Sequence, residues 1–193
     1  MTDSQIIREI KDGNIELYAV LIQRYEKKIN SFIHHLIGSN RADIFPEDLC
    51  QETFYKAFKS LHTFRDEDAT FQTWLYTIAR NSTLSELRKL KHKEVLIDDH
   101  QQLAQTATHL LPEQEILKNE KVQKVREAIN SLPENQRSAL ILREYEQLDY
   151  KEIALILNST VSAVKSLLFR ARTSIKDQLE SYIFENHLPE FEV

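Results

Sequence analysis

Apolar residues recur every three or four positions along most of this chain, the 3.6-residue period of amphipathic helices. Between Asn14 and Ile37, the residues Leu17, Leu21, Tyr25, Ile29, Phe32, Ile33 and Leu36 fall on or near one side. They predict one long helix, closed by Gly38-Ser39-Asn40. Pro46, followed by Glu47 and Asp48, starts a second helix, because proline suits a first turn and the acids oppose the helix dipole. Its packed stripe is Cys50, Phe54, Ala57, Phe58 and Leu61. A polar loop, His62 to Thr70, leads to a third helix that opens with Phe71, Trp74, Leu75 and Ile78 and ends near Lys91. That spacing makes Trp74 a core residue.

Periodicity fades from Lys93 to about Leu111, where Asp98-Asp99-His100-Gln101-Gln102, Thr106, Thr108 and Pro112 predict a linker. At ~3.4 Å per residue, roughly 18 residues reach up to about 60 Å. Helical patterning returns at Pro112 to Asn130 and from Pro133 to about Glu146, where Ser131 and Glu134 have capping-box spacing.

Two short helices around a tight turn follow, from Asp149 to Lys176. Asp149 and Glu152 form a second capping-box pattern, and Ile153, Ala154 and Leu157 supply the buried side. Asn158-Ser159-Thr160 breaks the period: Asn tolerates the left-handed conformation, and Ser or Thr caps the next helix. Val164, Leu168, Ala171, Ile175 and Leu179 then define a core stripe. Opposite it stand Ser162, Lys165, Ser166, Phe169, Arg170 and Thr173, with four basic residues and no acid between Lys165 and Lys176. This pattern suits a helix with one side packed and the other on a DNA duplex. A solvated basic face is the plainer reading, but it leaves the aromatic Phe169 on the polar side without a purpose.

Composition and charge then narrow the function. Among 193 residues, two glycines and four prolines fit an almost wholly helical protein. No apolar run approaches the ~20 residues needed to cross a bilayer. No signal peptide is expected from the opening residues, and the lone Cys50 excludes an internal disulfide within this sequence and fits a reducing cytoplasm. His34 and His35 are neighbours that cannot share a helix face, and the other histidines are scattered, so neither a metal site nor another cofactor is expected. No Gly-rich phosphate loop or nucleophile motif points to an enzyme or a small-molecule substrate.

The net charge of −5 is unevenly spread. Arg80 to Lys93 sets Arg80, Arg88, Lys89, Lys91 and Lys93 against Glu86 alone, whereas Glu94 to Glu120 is strongly acidic. Asp177 to Val193 adds five acids and no Lys or Arg. Phosphate attraction dominates non-specific DNA affinity, so such a chain should bind DNA weakly alone and need a partner.

The segments DLCQETFYKAFKSL (Asp48–Leu61), FRDEDATFQTWLYTIARN (Phe64–Asn81) and LPENQRSALILREYEQLDYKEIALIL (from Leu132) resemble regions 2 and 4 of a bacterial RNA polymerase sigma factor. Two domains without a region between them resemble the extracytoplasmic-function class. The fold class expected is all-α, two small helical domains joined by a flexible linker, the second ending in a helix-turn-helix. Residues 1–93 would bind core polymerase and the promoter −10 element, 94–111 would be the acidic linker, 112–180 would read the −35 element, and 181–193 would be an acidic tail.

The resemblance also implies residue roles. Asp48, Gln51, Glu52 and Tyr55 would meet the clamp helices of core RNA polymerase. Phe64 and Arg65, with Asn81, would edge a pocket for a base leaving the −10 stack, since unstacking costs a few kcal/mol that stacking and polar contacts recover. Tyr76, Arg80 and Thr83 would share the helix face away from the core, with Arg88, Lys89 and Lys91 as phosphate contacts. Ser166 and Arg170 would meet −35 base edges, Phe169 a thymine methyl, and Lys165 and Arg172 phosphates. Leu167 stands where many family members carry Arg. The resemblance further implies a cytoplasmic protein, an anti-sigma partner, no direct membrane insertion and a monomer in the holoenzyme. A stand-alone helix-turn-helix regulator with an N-terminal sensory domain is the alternative, and would be a dimer on palindromic half-sites.

Overall fold

The computed structural model describes residues 1–38, 43–97 and 113–185, and among these there is no strand. The first helix, α1 (Asp3–Lys11), lies ahead of Asn14, where the sequence pattern predicts the first helix. Its signal is nonetheless in the sequence. Thr2 and Gln5 close a full capping box, and Ile6, Ile7 and Ile10 are buried. Gly13, at φ 111°, turns the chain after it.

A 3-10 turn at Ile15–Leu17 precedes α2 (Tyr18–Ile37), so the long helix starts four residues later than Asn14. Gly38 closes it at φ 80°. Helix α3 (Pro46–Ser60) begins on its proline and buries Leu49, Cys50, Thr53, Phe54 and Ala57. Phe58, expected inside this stripe, is partly exposed, with its ring 4.9 Å from that of Tyr18. Helix α4 (Phe71–Ile97) runs six residues beyond Lys91, so Glu94 to Ile97 are helical rather than linker.

Then come α5 (Glu113–Asn130), α6 (Glu134–Glu144), α7 (Tyr150–Ile156) and α8 (Val161–Glu185). The capping box expected from Ser131 and Glu134 does not form, because Pro133 occupies the cap position. Ser131 Oγ instead donates to the Ala128 carbonyl at 2.8 Å. Most of the linker, 98–111, with Pro112 and the end of the acidic tail, 186–193, lie outside the described residues.

Helices α2, α3 and α4 pack pairwise with α1 on their flank, and α8 packs on α5, α6 and α7. These two groups are legible in the sequence. Their direct contact is not: α6 lies against α2 and α7 against α4, so one continuous apolar cluster runs from Ile6 to Ala171. Among the described residues no single helix is long and apolar enough to cross a membrane.

Candidate nucleic-acid interface

Helices α7 and α8 meet at 95°, the crossing of a helix-turn-helix. Local chemistry builds this corner. Asp149 Oδ1 accepts from the Lys151 and Glu152 amides at 2.8 Å, and Glu152 Oε2 accepts from the Asp149 amide at 2.9 Å. Asn158 takes the left-handed conformation, at φ 47°, and Thr160 Oγ1 caps α8 by accepting from the Ala163 amide at 3.1 Å. Val164, Leu168 and Ala171 are then buried, while Ile175 and Leu179 are half-buried.

On the outer side of α8, Lys165, Ser166, Phe169, Arg170 and Arg172 are all exposed, Phe169 to 71%. Three of them already have protein partners: Ser166 Oγ donates to the Ser162 carbonyl of its own helix at 3.1 Å, and two reach other elements. Arg172 Nη2 donates to Glu144 Oε1 at 2.7 Å, and the Lys165 ammonium stands 6.0 Å from the Tyr150 ring centre. Glu144 holds the Arg172 guanidinium above its ordinary pKa. Leu167 is half-buried against the core, so apolar packing occupies the position where an arginine would have projected.

The second basic surface, on α4, departs further from the pattern. Tyr76, expected on a DNA-facing side, is fully buried, as is Thr83. The physical reason is that α4 is covered from two sides, by α2 and α3 and again by α7. Its buried arc is therefore wider than one stripe. The Tyr76 ring meets Phe32 edge-on at 5.1 Å, and its hydroxyl donates to Glu146 Oε2 at 2.5 Å. Burial, the bond to Glu146 and that carboxyl's charge together hold the phenol well above its ordinary pKa.

Arg80 is half-buried, and desolvation lowers its pKa. Its guanidinium donates to Ser138 Oγ at 3.2 Å and Asn135 Oδ1 at 2.5 Å, both on α6. Arg88 donates to both Glu134 oxygens, at 3.2 and 2.6 Å. Asn81 is exposed beside Arg80, and Lys89 is exposed and paired with Glu86 on its own helix at 3.1 Å.

The pocket expected from Phe64, Arg65 and Asn81 does not assemble. Phe64 is buried, its ring tilted against Trp74 and edge-on to Phe71, with ring centres 5.2 and 5.8 Å away. Trp74, expected in the core from its spacing, is half-buried and packs against it. Arg65 is exposed on the loop, but the cavity there is walled by Ile7, Arg8 and Lys11 of α1 together with Arg65, Asp66 and Glu67. Asn81 is ten residues along α4 from Phe71, about 15 Å at 1.5 Å per residue.

On α3, Asp48, Gln51, Glu52 and Tyr55 are all exposed, Tyr55 to 61%. Glu52 pairs with Lys56 at 2.6 Å. Sequence reasoning missed what lies beside them. A groove of about 640 Å³ runs between α2 and α3, lined by Ile15, Ile22, Phe54, Tyr55 and Phe58 among others. Ile15 lies off the main stripe, and with Phe58, exposed though on its own helix's stripe, it marks a second apolar surface. Burial pushes the Cys50 thiol in this groove up to about 11, so it stays protonated and unreactive. Among the described residues no three His, Cys, Asp or Glu side chains gather closely enough to hold a metal ion.

Known proteins share this arrangement. Residues 21–93 match the family Sigma-70 region 2, and residues 122–175 match Sigma-70, region 4. The chain is 34% identical over 188 residues to the ECF RNA polymerase sigma-E factor of Haemophilus influenzae, covering 93% of this chain and 96% of that protein. It is 32% identical to the RNA polymerase sigma-H factor of Pseudomonas aeruginosa, covering 95% of this chain and 96% of that one. A solved structure of the sigma factor RpoE in complex with the anti-sigma factor NepR, from Bartonella quintana, aligns with a TM-score of 0.64 at 27% identity, over 84% of this chain and 96% of that chain. The fold is shared as well with CnrH in its complex with the cytosolic domain of CnrY, at a TM-score of 0.66 and 19% identity, over 93% of this chain and 97% of that chain.

Proposed function

The chain belongs to the sigma-70 family, in its extracytoplasmic-function class, and on that premise we propose how its surfaces divide the work of starting transcription. It binds core RNA polymerase, directs it to promoters through their −10 and −35 elements, and helps separate the strands. It makes and breaks no covalent bond. The observation that carries this reading is the outer face of α8. A helix held at 95° by its neighbour presents Phe169 and Arg170, both exposed, with Ser166 exposed beside them and bonded only to the Ser162 carbonyl of its own helix.

Residues 1–93 take the polymerase and the −10 element, and 112–180 take the −35 element. Ser166 and Arg170 meet base edges, Phe169 meets a thymine methyl, and Lys165 and Arg172 meet phosphates. On α4, Arg80, Asn81, Arg88 and Lys89 serve the −10 region, and Arg65 serves it from the loop. Asp48, Gln51, Glu52 and Tyr55, with the apolar groove beside them, receive the polymerase. The protein acts in the cytoplasm as a monomer within the holoenzyme, and an anti-sigma factor holds it inactive.

Arg80 and Arg88 are engaged by α6 in this structure, so the −10 surface is complete only after α6 has moved away. That agrees with a chain that binds DNA poorly until polymerase holds it. The test is transcription in vitro. Core polymerase plus this chain should start transcription from a matching promoter, while the chain alone should shift the same DNA poorly. Tight, polymerase-free binding as a dimer would replace this reading with a stand-alone regulator.

A further inference from the structure

Helix α1 lies outside residues 21–93, where the match to region 2 falls, and it touches the loop assigned to the −10 element. Lys11, its last residue, donates from Nζ to the Phe64 carbonyl at 2.7 Å, bridging 53 positions of sequence. Phe64 is therefore fixed from two directions. Its ring is wedged against Trp74 and Phe71 in the core, and its carbonyl is held by an ammonium from another helix. Everything beyond it, from Arg65 to Asp68, is exposed, so those two anchors set the direction in which the loop leaves the core.

The strut that carries Lys11 is itself rigid. Ile6, Ile7 and Ile10 are buried, the Thr2–Gln5 capping box fixes the start of α1, and Asp3 accepts from both Arg24 and Tyr25 of α2. Beside Lys11, Arg8 and Ile7 complete the wall of the loop cavity. A loop that must receive an unstacked base gains from being held in place beforehand, because the ordering cost is then met during folding rather than at binding.

Resting on the assignment of the 62–70 loop to the −10 element, we propose that Lys11 is a positioning residue for promoter opening. Through the Phe64 carbonyl it fixes where Arg65 and the rest of the loop stand relative to a base that has left the duplex. It touches neither the base nor the polymerase.

The experiment compares wild type, Lys11→Met and Lys11→Arg, each assembled with core polymerase. Single-stranded oligonucleotides carry either the −10 segment of a promoter this holoenzyme transcribes or a base-scrambled copy. Trp74, the one tryptophan of the chain, reports the loop through its contact with Phe64. Lys11→Met should weaken binding to the matched strand about fivefold, the scale of one net hydrogen bond, and leave the scrambled strand unchanged. Its Trp74 emission in the free chain should shift, binding to core polymerase should stay the same, and Lys11→Arg should restore all readings. Equal losses on both strands would make Lys11 a phosphate contact and overturn the proposal, as would no loss on either. A wild-type holoenzyme that ignores the scrambling would overturn the −10 assignment itself. In that case an unchanged Trp74 emission in Lys11→Met would overturn the positioning role as well, and a shift would uphold it.

Discussion

Tyr76 and Glu146 are 70 positions apart in sequence, yet the phenol of one donates to the carboxylate of the other at 2.5 Å across the seam between the two helical groups. Burial outweighs both this bond and the pull of Lys28, and it holds the Glu146 carboxyl above its ordinary value of 4.5. A raised pKa means that the closed seam favours the protonated form. Its contribution is fully present below the ordinary carboxylate range and is lost as pH rises through the raised value.

The seam should therefore tighten on acidification from neutrality toward 4.5. Glu134 has the opposite sign, because the hydrogen bond from Arg88 holds it below its ordinary value. Its pair is intact throughout that window and is lost only at lower pH. Small-angle scattering of the free chain should show the radius of gyration falling with pH, and Glu146→Gln should flatten that dependence. A radius that rises on acidification would contradict the assignment.

Arg80→Ala should act with opposite signs in two assays. Losing the bonds to Ser138 and Asn135 removes about 1 kcal/mol each from the closed arrangement, so the free chain should expand. The same substitution should weaken holoenzyme binding to the −10 element. Expansion together with full −10 affinity would confine Arg80 to the seam.

Arg170→Ala should cost ~1–3 kcal/mol of discrimination between matched and altered −35 sequences, measured by competition binding of the holoenzyme. Arg172→Ala should lower affinity about equally for every sequence and reduce the salt slope by about one. An exchange of these two behaviours would reverse the assigned roles.

Asn158→Ala should lower stability by about 1 kcal/mol, because a β-carbon in the left-handed conformation meets the following carbonyl and alanine lacks the amide that offsets it. For a chain of this size that is a fall of about 3 °C in Tm by calorimetry. Asn158→Gly should be close to neutral. Equal losses for both would show that the side-chain amide, rather than the backbone angle, supports the turn.

The sequence by itself determined the helices from α2 onward, the corner of the helix-turn-helix and the outer face of α8. Those features rest on local chemistry: a 3.6-residue period, the Asp149–Glu152 box, the tolerance of Asn158 for positive φ, and Thr160 as a cap. Periodicity also put Trp74 on the side of α4 that faces the core, where it is half-buried beside Phe64 and Phe71. Only the tertiary structure decided the other half of the site. A period reports how wide a helix's apolar stripe is, not how many elements cover the helix, so Tyr76 and Thr83 vanish under a second layer that no local pattern announces. Likewise the partners of Arg80, Arg88 and Lys11 lie 46 to 58 positions away, beyond the reach of any local spacing rule.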